Sequence, residues 1–191
     1  MNRLLLLAVL TLLTLTPATA QTGHSGMSHG AAVSPAPAAS RQPLARLSGR
    51  AFDRAFLSMM TVHHRAALDM SRAALARSRS AQVRAWASSI IKSQSAEIGQ
   101  MQRLLSAVGG TDAAMAAEMK GMMAGMAGSV KSAANPDRAF LEGMLPHHAS
   151  AVEMASLALQ KSASPAVLGL ARDIVRAQAQ EMYEFRRALL K

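Results

Sequence analysis

Two stretches of the chain, DRAFLSMMTVHHRAALDM at Asp53–Met70 and DRAFLEGMLPHHASAVEM at Asp137–Met154, carry nearly the same residues. They lie 84 positions apart (137 − 53), and the same offset joins a second set of segments further along the chain. In that set, Ile90, Gln94 and Glu97 correspond to Ile174, Gln178 and Glu181. Because the match runs without a gap through both segments, the sequence predicts an internal duplication.

Apolar residues in each repeated unit recur with the spacing of one helix face. Phe56, Met60 and Ala67 follow this spacing in the first segment, and Ile90 and Met101 continue it in the second. The sequence has no strand pattern. Two helical segments per unit predict an all-α protein, a ferritin-like four-helix bundle built from two duplicated helical hairpins.

Composition divides the chain into five parts. Residues 1–20 combine a basic start, an apolar run and a small-residue exit, which predicts a secretory signal peptide. Residues 21–48 are rich in Gly, Ser, Ala and Pro without periodicity and predict a disordered tail. The duplicated bundle follows as hairpins at 49–106 and 135–191 around a methionine-rich connector at 107–134. The leader's apolar run is shorter than the roughly 20 residues of a spanning helix, so we expect a secreted or periplasmic protein with no integral membrane span after cleavage.

The formal net charge of +10 raises the question of an anionic partner. Arginines such as Arg72, Arg77 and Arg84 are scattered over polar helix faces, without the aromatic residues that stack on bases. The charge therefore indicates a solvated basic surface, and we expect no nucleic-acid partner.

Antiparallel packing of each hairpin predicts which residues meet. If the first turn centres near residue 80, level residues have numbers that sum to about 160, so His63 lies level with Glu97. The same arithmetic places His147 level with Glu181. We expect His63 and His147 to be the more buried member of each pair, since neighbouring residues point about 100° apart on a helix. A carboxylate that orients a metal-binding histidine is a common arrangement.

The available donor atoms favour a soft metal. The chain has no cysteine and 14 methionines, and thioether with imidazole suits copper, particularly Cu(I), with Cu(II) as a second candidate. Zinc normally takes more His, Cys or carboxylate ligands, and a di-iron bundle needs more inward glutamates. The candidate metal ligands of the bundle are Met60, His63, His64, Met70, Glu97, Met144, His147, His148, Met154 and Glu181, supported by Gln94 and Gln178.

Two further groups of candidate ligands lie outside the repeats. The connector carries Met119, Met122, Met123 and Met126 as a candidate labile Cu(I) site, with a lid packed on the bundle as the alternative interpretation. The tail sequence HSGMSHG supplies His24, Met27 and His29 as a candidate exposed capture site.

The repeated pattern D-x-x-F-L-x-x-M-x-x-H-H-x-x-A-x-x-M, followed by I-x-x-x-Q-x-x-E, resembles a known family. It is similar to the secreted, ferritin-like family called domain of unknown function 305, whose CopM-like members bind copper. Both units match the pattern, and the resemblance covers nearly all of the chain from about residue 50 onward. It implies a four-helix bundle and exported copper handling, while the connector and the HSGMSHG segment lie outside the repeated pattern.

These observations favour a non-enzymatic, exported copper-binding protein that sequesters or transports copper. Two alternatives remain at this point. One is a ferritin-like metal-dependent oxidase, which would need carboxylate-rich coordination. The other is a structural helical module in which the histidines and glutamates form a buried polar network.

Overall fold

The computed structural model describes residues 44–191, and within them every regular element is a helix. The four long helices are α1 (Gly49–Arg77), α2 (Ala81–Ala107), α5 (Pro136–Lys161) and α6 (Pro165–Leu189), with the shorter α3 (Ala113–Met122) and α4 (Met126–Ser132) between α2 and α5. The predicted all-α bundle of two helical hairpins is confirmed. The predicted signal peptide, and the tail as far as residue 43 with His24, Met27 and His29, lie outside the described residues.

Short, capped turns close both hairpins. Ser80 is the N-cap of α2, where its Oγ accepts a hydrogen bond from the Val83 amide at 3.3 Å. Ser164 caps α6 in the same way, accepting from the Val167 amide at 3.4 Å. Pro165 follows in the first turn of α6, where an amide would have no helical partner. Because each second helix starts so soon after the first one ends, the two helices of a hairpin run antiparallel.

Two clusters of buried apolar side chains fill the bundle, one towards each end. We call the first the methionine end; among its buried members are Met59, Met60, Met101, Met119, Met123, Met154, Phe52 and Phe56. We call the second the aromatic end; it includes Phe140, Phe185, Met70 and Met144, with the half-buried Trp86 against them. Burial of this apolar surface is the main force holding the four long helices together.

Hydrogen bonds hold the start of the connector against α1. Arg54 donates to the carbonyl oxygens of Gly110 and Thr111 at 3.0 and 2.9 Å, and the Ser58 Oγ accepts from the Asp112 amide at 2.8 Å. Both α3 and α4 pack on α1, which also contacts α2 and α5. Helix α1 is therefore covered on several sides.

The packed part of the chain begins before α1. Leu44 is fully buried in the methionine end, and Lys161 donates to the carbonyl oxygen of Ala45 at 2.6 Å. Ordered packing thus extends at least five residues ahead of the bundle start predicted at residue 49. Among the helices of residues 44–191, none has the length and apolarity that crossing a bilayer requires.

Candidate metal centre

A polar layer separates the methionine end from the aromatic end. Along each long helix, residues of one end precede it and residues of the other end follow it. We call it the histidine layer; its members, two from each long helix, are His63, His64, Gln94, Glu97, His147, His148, Gln178 and Glu181. The spacing of 84 residues therefore brings the repeated polar residues of both hairpins to one level of the bundle.

All four imidazoles of the layer are fully buried. His63, His64, His147 and His148 each have an exposed fraction of 0%. The expectation that one member of each pair is more buried was therefore wrong. The physical reason is that α1 and α5 each have neighbours on more than one side, so two directions about 100° apart both point into protein.

Each glutamate of the layer pairs with the second histidine, not with the first as predicted. The His64 Nε2 lies 2.7 Å from Oε2 of Glu97, and the His148 Nε2 lies 2.6 Å from Oε2 of Glu181. The hairpin register is thus one residue away from the predicted one, which selects the neighbouring imidazole. These carboxylates are mostly but not fully covered, with side-chain exposures of 19%.

His63 and His147 meet each other at the contact between the hairpins. Their ring centroids are 3.7 Å apart, and the His147 Nε2–H donates to the carbonyl oxygen of His63 at 3.1 Å. The hydroxyl of Ser150 donates its proton to the His147 carbonyl at 2.8 Å. Ser150 Oγ, 2.7 Å from the His63 Nε2, must therefore accept from that nitrogen.

Sequence reasoning missed Ser150. The equivalent position in the first unit, 84 residues earlier, is Ala66, so the repeat gave no signal for a polar residue there. The only clue in the sequence is a small hydroxyl residue three positions after a histidine, on the helix face that turns inward. Such residues usually bond to their own helix backbone, as Ser150 also does.

These partners leave one nitrogen of every layer histidine unused. Each Nε2 has a hydrogen-bond partner, whereas Nδ1 of His63, His64, His147 and His148 is buried without one. A neutral imidazole with its proton on Nε2 presents a lone pair on Nδ1. Four such lone pairs lie in the interior, and the amide atoms of Gln94 and Gln178 are also buried there without a partner.

Burial keeps the central histidines neutral. It lowers the pKa of His63 well below its ordinary value, and the charges of His147 and the other two imidazoles lower it further. Burial likewise lowers the pKa of His147, reinforced by His148. The pKa of His148 falls to about 3, through burial first and then the charge of His64. Because metal ions bind neutral imidazole, no proton has to be displaced from these Nδ1 atoms near pH 7.

Glu181 responds to the same environment in the opposite sense. Its pKa is raised to about 7, through burial first and then the charges of Glu97 and Glu184, while His64 opposes them. When Glu181 is ionised, its carboxylate accepts a hydrogen bond from the His148 Nε2–H. This bond keeps the proton on Nε2 and leaves the lone pair on Nδ1. Protonation of Glu181 weakens the bond, so the orientation of the His148 ring depends on the protonation state of Glu181.

The four methionines of the repeated motif lie on either side of the layer. Met60 and Met154 belong to the methionine end, and Met70 and Met144 to the aromatic end. All four are at most 1% exposed. Gly143 leaves space for Met70, whose Cε would lie 3.0 Å from a Cβ at that position. Each end of the bundle therefore receives one motif thioether from each hairpin.

The connector methionines lie outside the histidine layer. Met119 and Met123 are buried in the methionine end, while Met122 and Met126 are half-buried at its edge. The structure thus brings all four predicted connector ligands to the cluster that contains Met60, two as buried members and two packed against it.

The arrangement favours some metals over others. Among residues 44–191, no group of three or more His, Asp or Glu side chains is placed to hold a metal ion. Zinc usually takes four such ligands or cysteine, and calcium and magnesium take more oxygens. Each hairpin instead offers the Nδ1 atoms of two consecutive histidines, with methionine thioethers in the apolar clusters on either side of the layer. Imidazole with thioether is a soft donor set that suits Cu(I).

Comparison with known proteins identifies a matching family and similar folds. The sequence profile of the family "Domain of unknown function (DUF305)" matches residues 6–105 and 106–189. No curated protein sequence shows significant similarity to the chain. Solved structures with similar folds include CopM in two metal-bound forms. The Cu(I)-bound form is 31% identical to this chain with a TM-score of 0.59, and the Cu(II)-bound form is 32% identical with a TM-score of 0.61. Each match covers 71% of this chain and 93% of CopM. A DUF305 fragment from Deinococcus radiodurans is 30% identical with a TM-score of 0.62, over 72% of this chain and 94% of the fragment. The chain therefore belongs to the DUF305 family.

Proposed function

We propose that the protein binds Cu(I) at its two histidine pairs and thereby sequesters or transports copper after export, without catalysing a reaction. The observation that carries this proposal is the set of four buried, unpartnered Nδ1 atoms, one on each layer histidine. Buried polar atoms normally find hydrogen-bond partners. Leaving four of the same type unpaired at one level is costly to a purely structural module and useful to a metal site.

The geometry of each pair suits an ion with few ligands. The ring centroids of His63 and His64 are 6.2 Å apart, and those of His147 and His148 are 5.8 Å apart. Metal–imidazole bonds are about 2 Å long, so one ion placed between two rings can be reached from both. Cu(I), a closed-shell ion, accepts such low coordination and tolerates thioethers as further ligands. Met60 and Met154 lie on one side of the pairs, and Met70 and Met144 on the other.

The glutamates and glutamines have supporting roles in this proposal. Glu97 and Glu181 accept from the Nε2–H of His64 and His148, which fixes the ring orientation and raises the basicity of the ligand nitrogen. Both carboxylates are partly exposed, so they also offer oxygen ligands to Cu(II) near the surface. Gln94 and Gln178 complete the polar surroundings of the layer.

Relatives support the choice of metal. CopM, about 30% identical to this chain, has been crystallised in Cu(I)-bound, Cu(II)-bound and Ag-bound forms. Silver as Ag(I) and copper as Cu(I) are both soft monovalent ions, which suit the imidazole donors of the layer and the thioethers of the methionines on either side of it. Export to the periplasm or beyond, inferred from the leader at residues 1–20, stays a prediction, as does copper capture by His24, Met27 and His29.

The decisive test is a competitive Cu(I) titration of the purified protein against a variant in which His63, His64, His147 and His148 are all changed to Gln. Gln retains an amide N–H near the position of imidazole Nε2 but has no donor in place of Nδ1. We expect the variant to fold, as judged by circular dichroism, and to lose tight Cu(I) binding. The matched control changes Ser71 of α1 to Ala, which alters a fully buried polar residue of the same helix without removing a proposed ligand or a hydrogen bond, and should leave tight binding in place.

The two alternatives predict other results. A structural module binds no copper, so its unfolding temperature would not rise with Cu(I), whereas a ligand that binds the native state must raise it. A metal-dependent oxidase would consume dioxygen with a reducing metal under turnover conditions. Tight binding that survives in the four-Gln variant would contradict the proposal.

A further inference from the structure

One residue beside the histidine layer differs chemically between the two hairpins. Phe185 packs on the second pair, with its ring centroid 5.7 Å from that of His148, and it is fully buried. It is also enclosed by aromatic neighbours, with centroids 5.3 Å from Trp86 and 6.2 Å from Phe140. The residue at the equivalent position of the first hairpin, 84 positions earlier, is Met101.

Met101 places a thioether about one helical turn from the first pair. The side chain is fully buried, and its Sδ lies 3.7 Å from Oγ1 of Thr61, one helical turn before His64. The Thr61 hydroxyl donates to the carbonyl oxygen of Leu57 at 2.7 Å, so its longer contact with the sulfur is the weaker of the two. A thioether sulfur has two lone pairs, and this contact leaves at least one of them available.

We propose that the two histidine pairs are unequal copper sites, because Met101 adds a thioether ligand to Cu(I) held by His63 and His64 while Phe185 closes the equivalent position at His147 and His148. The inference rests on the proposed function and adds a specificity residue to one of its two sites. A thioether donates a lone pair to a soft ion, whereas a phenyl ring has none to donate. Met60 and Met144 occupy equivalent positions in the two hairpins, so their contribution is common to both sites.

The test exchanges the two side chains in proteins that keep all four histidines. Met101→Leu removes the sulfur with little change in volume, and Phe185→Met supplies one to the second hairpin. Stepwise competitive Cu(I) titration should give two unequal affinities for the wild type. We expect Met101→Leu to weaken the tighter step by about tenfold or more, a scale that changes around a metal ligand commonly reach, and Phe185→Met to strengthen the weaker step.

Methionine methyl NMR with Ag(I) as a diamagnetic probe separates ligation from packing. The Met101 methyl signal, assigned by its loss in Met101→Leu, should shift with the first equivalent of Ag(I). The additional methionine signal of the Phe185→Met variant should shift with the second equivalent. Two equal steps in the wild type, or an unchanged tighter step in Met101→Leu, would overturn the inference while leaving copper binding by the histidines intact. Loss of binding in every protein, wild type included, would instead overturn the proposed function.

Discussion

The histidine layer and the two apolar ends differ in how closely the two hairpins match. At the layer, all positions are identical between the hairpins: two histidines, a glutamine and a glutamate in each. At the ends, some equivalent positions match, such as Phe56 and Phe140, but others diverge: Phe185 stands at the position equivalent to Met101, and Gly143 at the position equivalent to Met59. Both regions lie in the interior of the bundle, so burial alone does not explain why one is constrained and the other is not.

The kind of interaction explains the difference. An apolar position accepts any side chain that fills its volume, at a cost usually below about 1.5 kcal/mol when volume is kept. A layer position has a specific partner, such as Glu97 for His64, and replacing either one leaves a buried polar group unsatisfied. Changes at the layer should therefore have larger effects than changes in the apolar surroundings.

Acidification should weaken the whole layer at once and produce the largest effect. The pKa values of His63, His147 and His148 are lowered by burial, the last to about 3. Between the unfolded value near 6.5 and these folded values, the unfolded chain binds more protons than the native one, so stability falls as the pH falls. Glu181, with its pKa raised to about 7, acts in the opposite direction above about 4.5. Three histidines outweigh one glutamate, so the net slope is destabilising on the acid side.

The measurement is thermal unfolding of the metal-free protein, with a chelator present, at pH 7, 6 and 5. The unfolding temperature should decrease at each step. A His148→Gln variant, which removes one of the three depressed groups, should show a smaller decrease. An unfolding temperature that stays level or rises from pH 7 to pH 5 would show that the histidines are not held neutral in the interior.

The fold could be predicted from the sequence because its signals are local and repeated. The spacing of apolar residues gave the helices, and the 84-residue offset gave the two hairpins. Gly109 and Gly110, with φ values of +95° and +80°, follow the end of α2, where this left-handed backbone favours glycine. Residues 44–48 were assigned to the tail because a segment of this length is too short to show the helical spacing of apolar residues. Leu44 nevertheless packs in the core.

The candidate site was predicted in composition but not in detail. The sequence indicated which histidines and glutamates share one level, yet the pairing was wrong by one residue, because a turn of unknown geometry sets the register. The close contact between the rings of His63 and His147 depends on how the two hairpins approach each other, which no local pattern encodes. Ser150 has its role only because of that approach.

Replacing Ser150 tests the contact between the hairpins and should have an intermediate effect. Ser150→Ala leaves the His63 Nε2–H buried without an acceptor, which costs about 1–3 kcal/mol. Urea denaturation measures this cost. Imidazole ¹⁵N NMR measures the proton position, and we expect His63 to lose its fixed Nε2–H tautomer while His148, held by Glu181, keeps it.

Ser71→Ala is the matched control. Ser71, on α1, is likewise a buried serine, but its Oγ has no hydrogen-bond partner, so removing it should change stability by no more than about 0.5 kcal/mol. Equal costs for the two serine variants would mean that the bond from His63 to Ser150 contributes nothing beyond packing.

Replacing the connector methionines should have the smallest effect on the stability of the fold. It should lower the number of bound copper ions without changing the affinities of the histidine pairs. Changing Met119, Met122, Met123 and Met126 together to Leu keeps an apolar side chain of similar volume at each position, so the bundle should still unfold cooperatively. We propose that their thioethers, two buried beside Met60 and two at the surface edge, hold an additional labile Cu(I). The variant should therefore bind fewer Cu(I) ions by titration, while the affinities of the two histidine pairs stay as in the wild type. An unchanged copper stoichiometry would leave the connector as a lid that only packs on the methionine end.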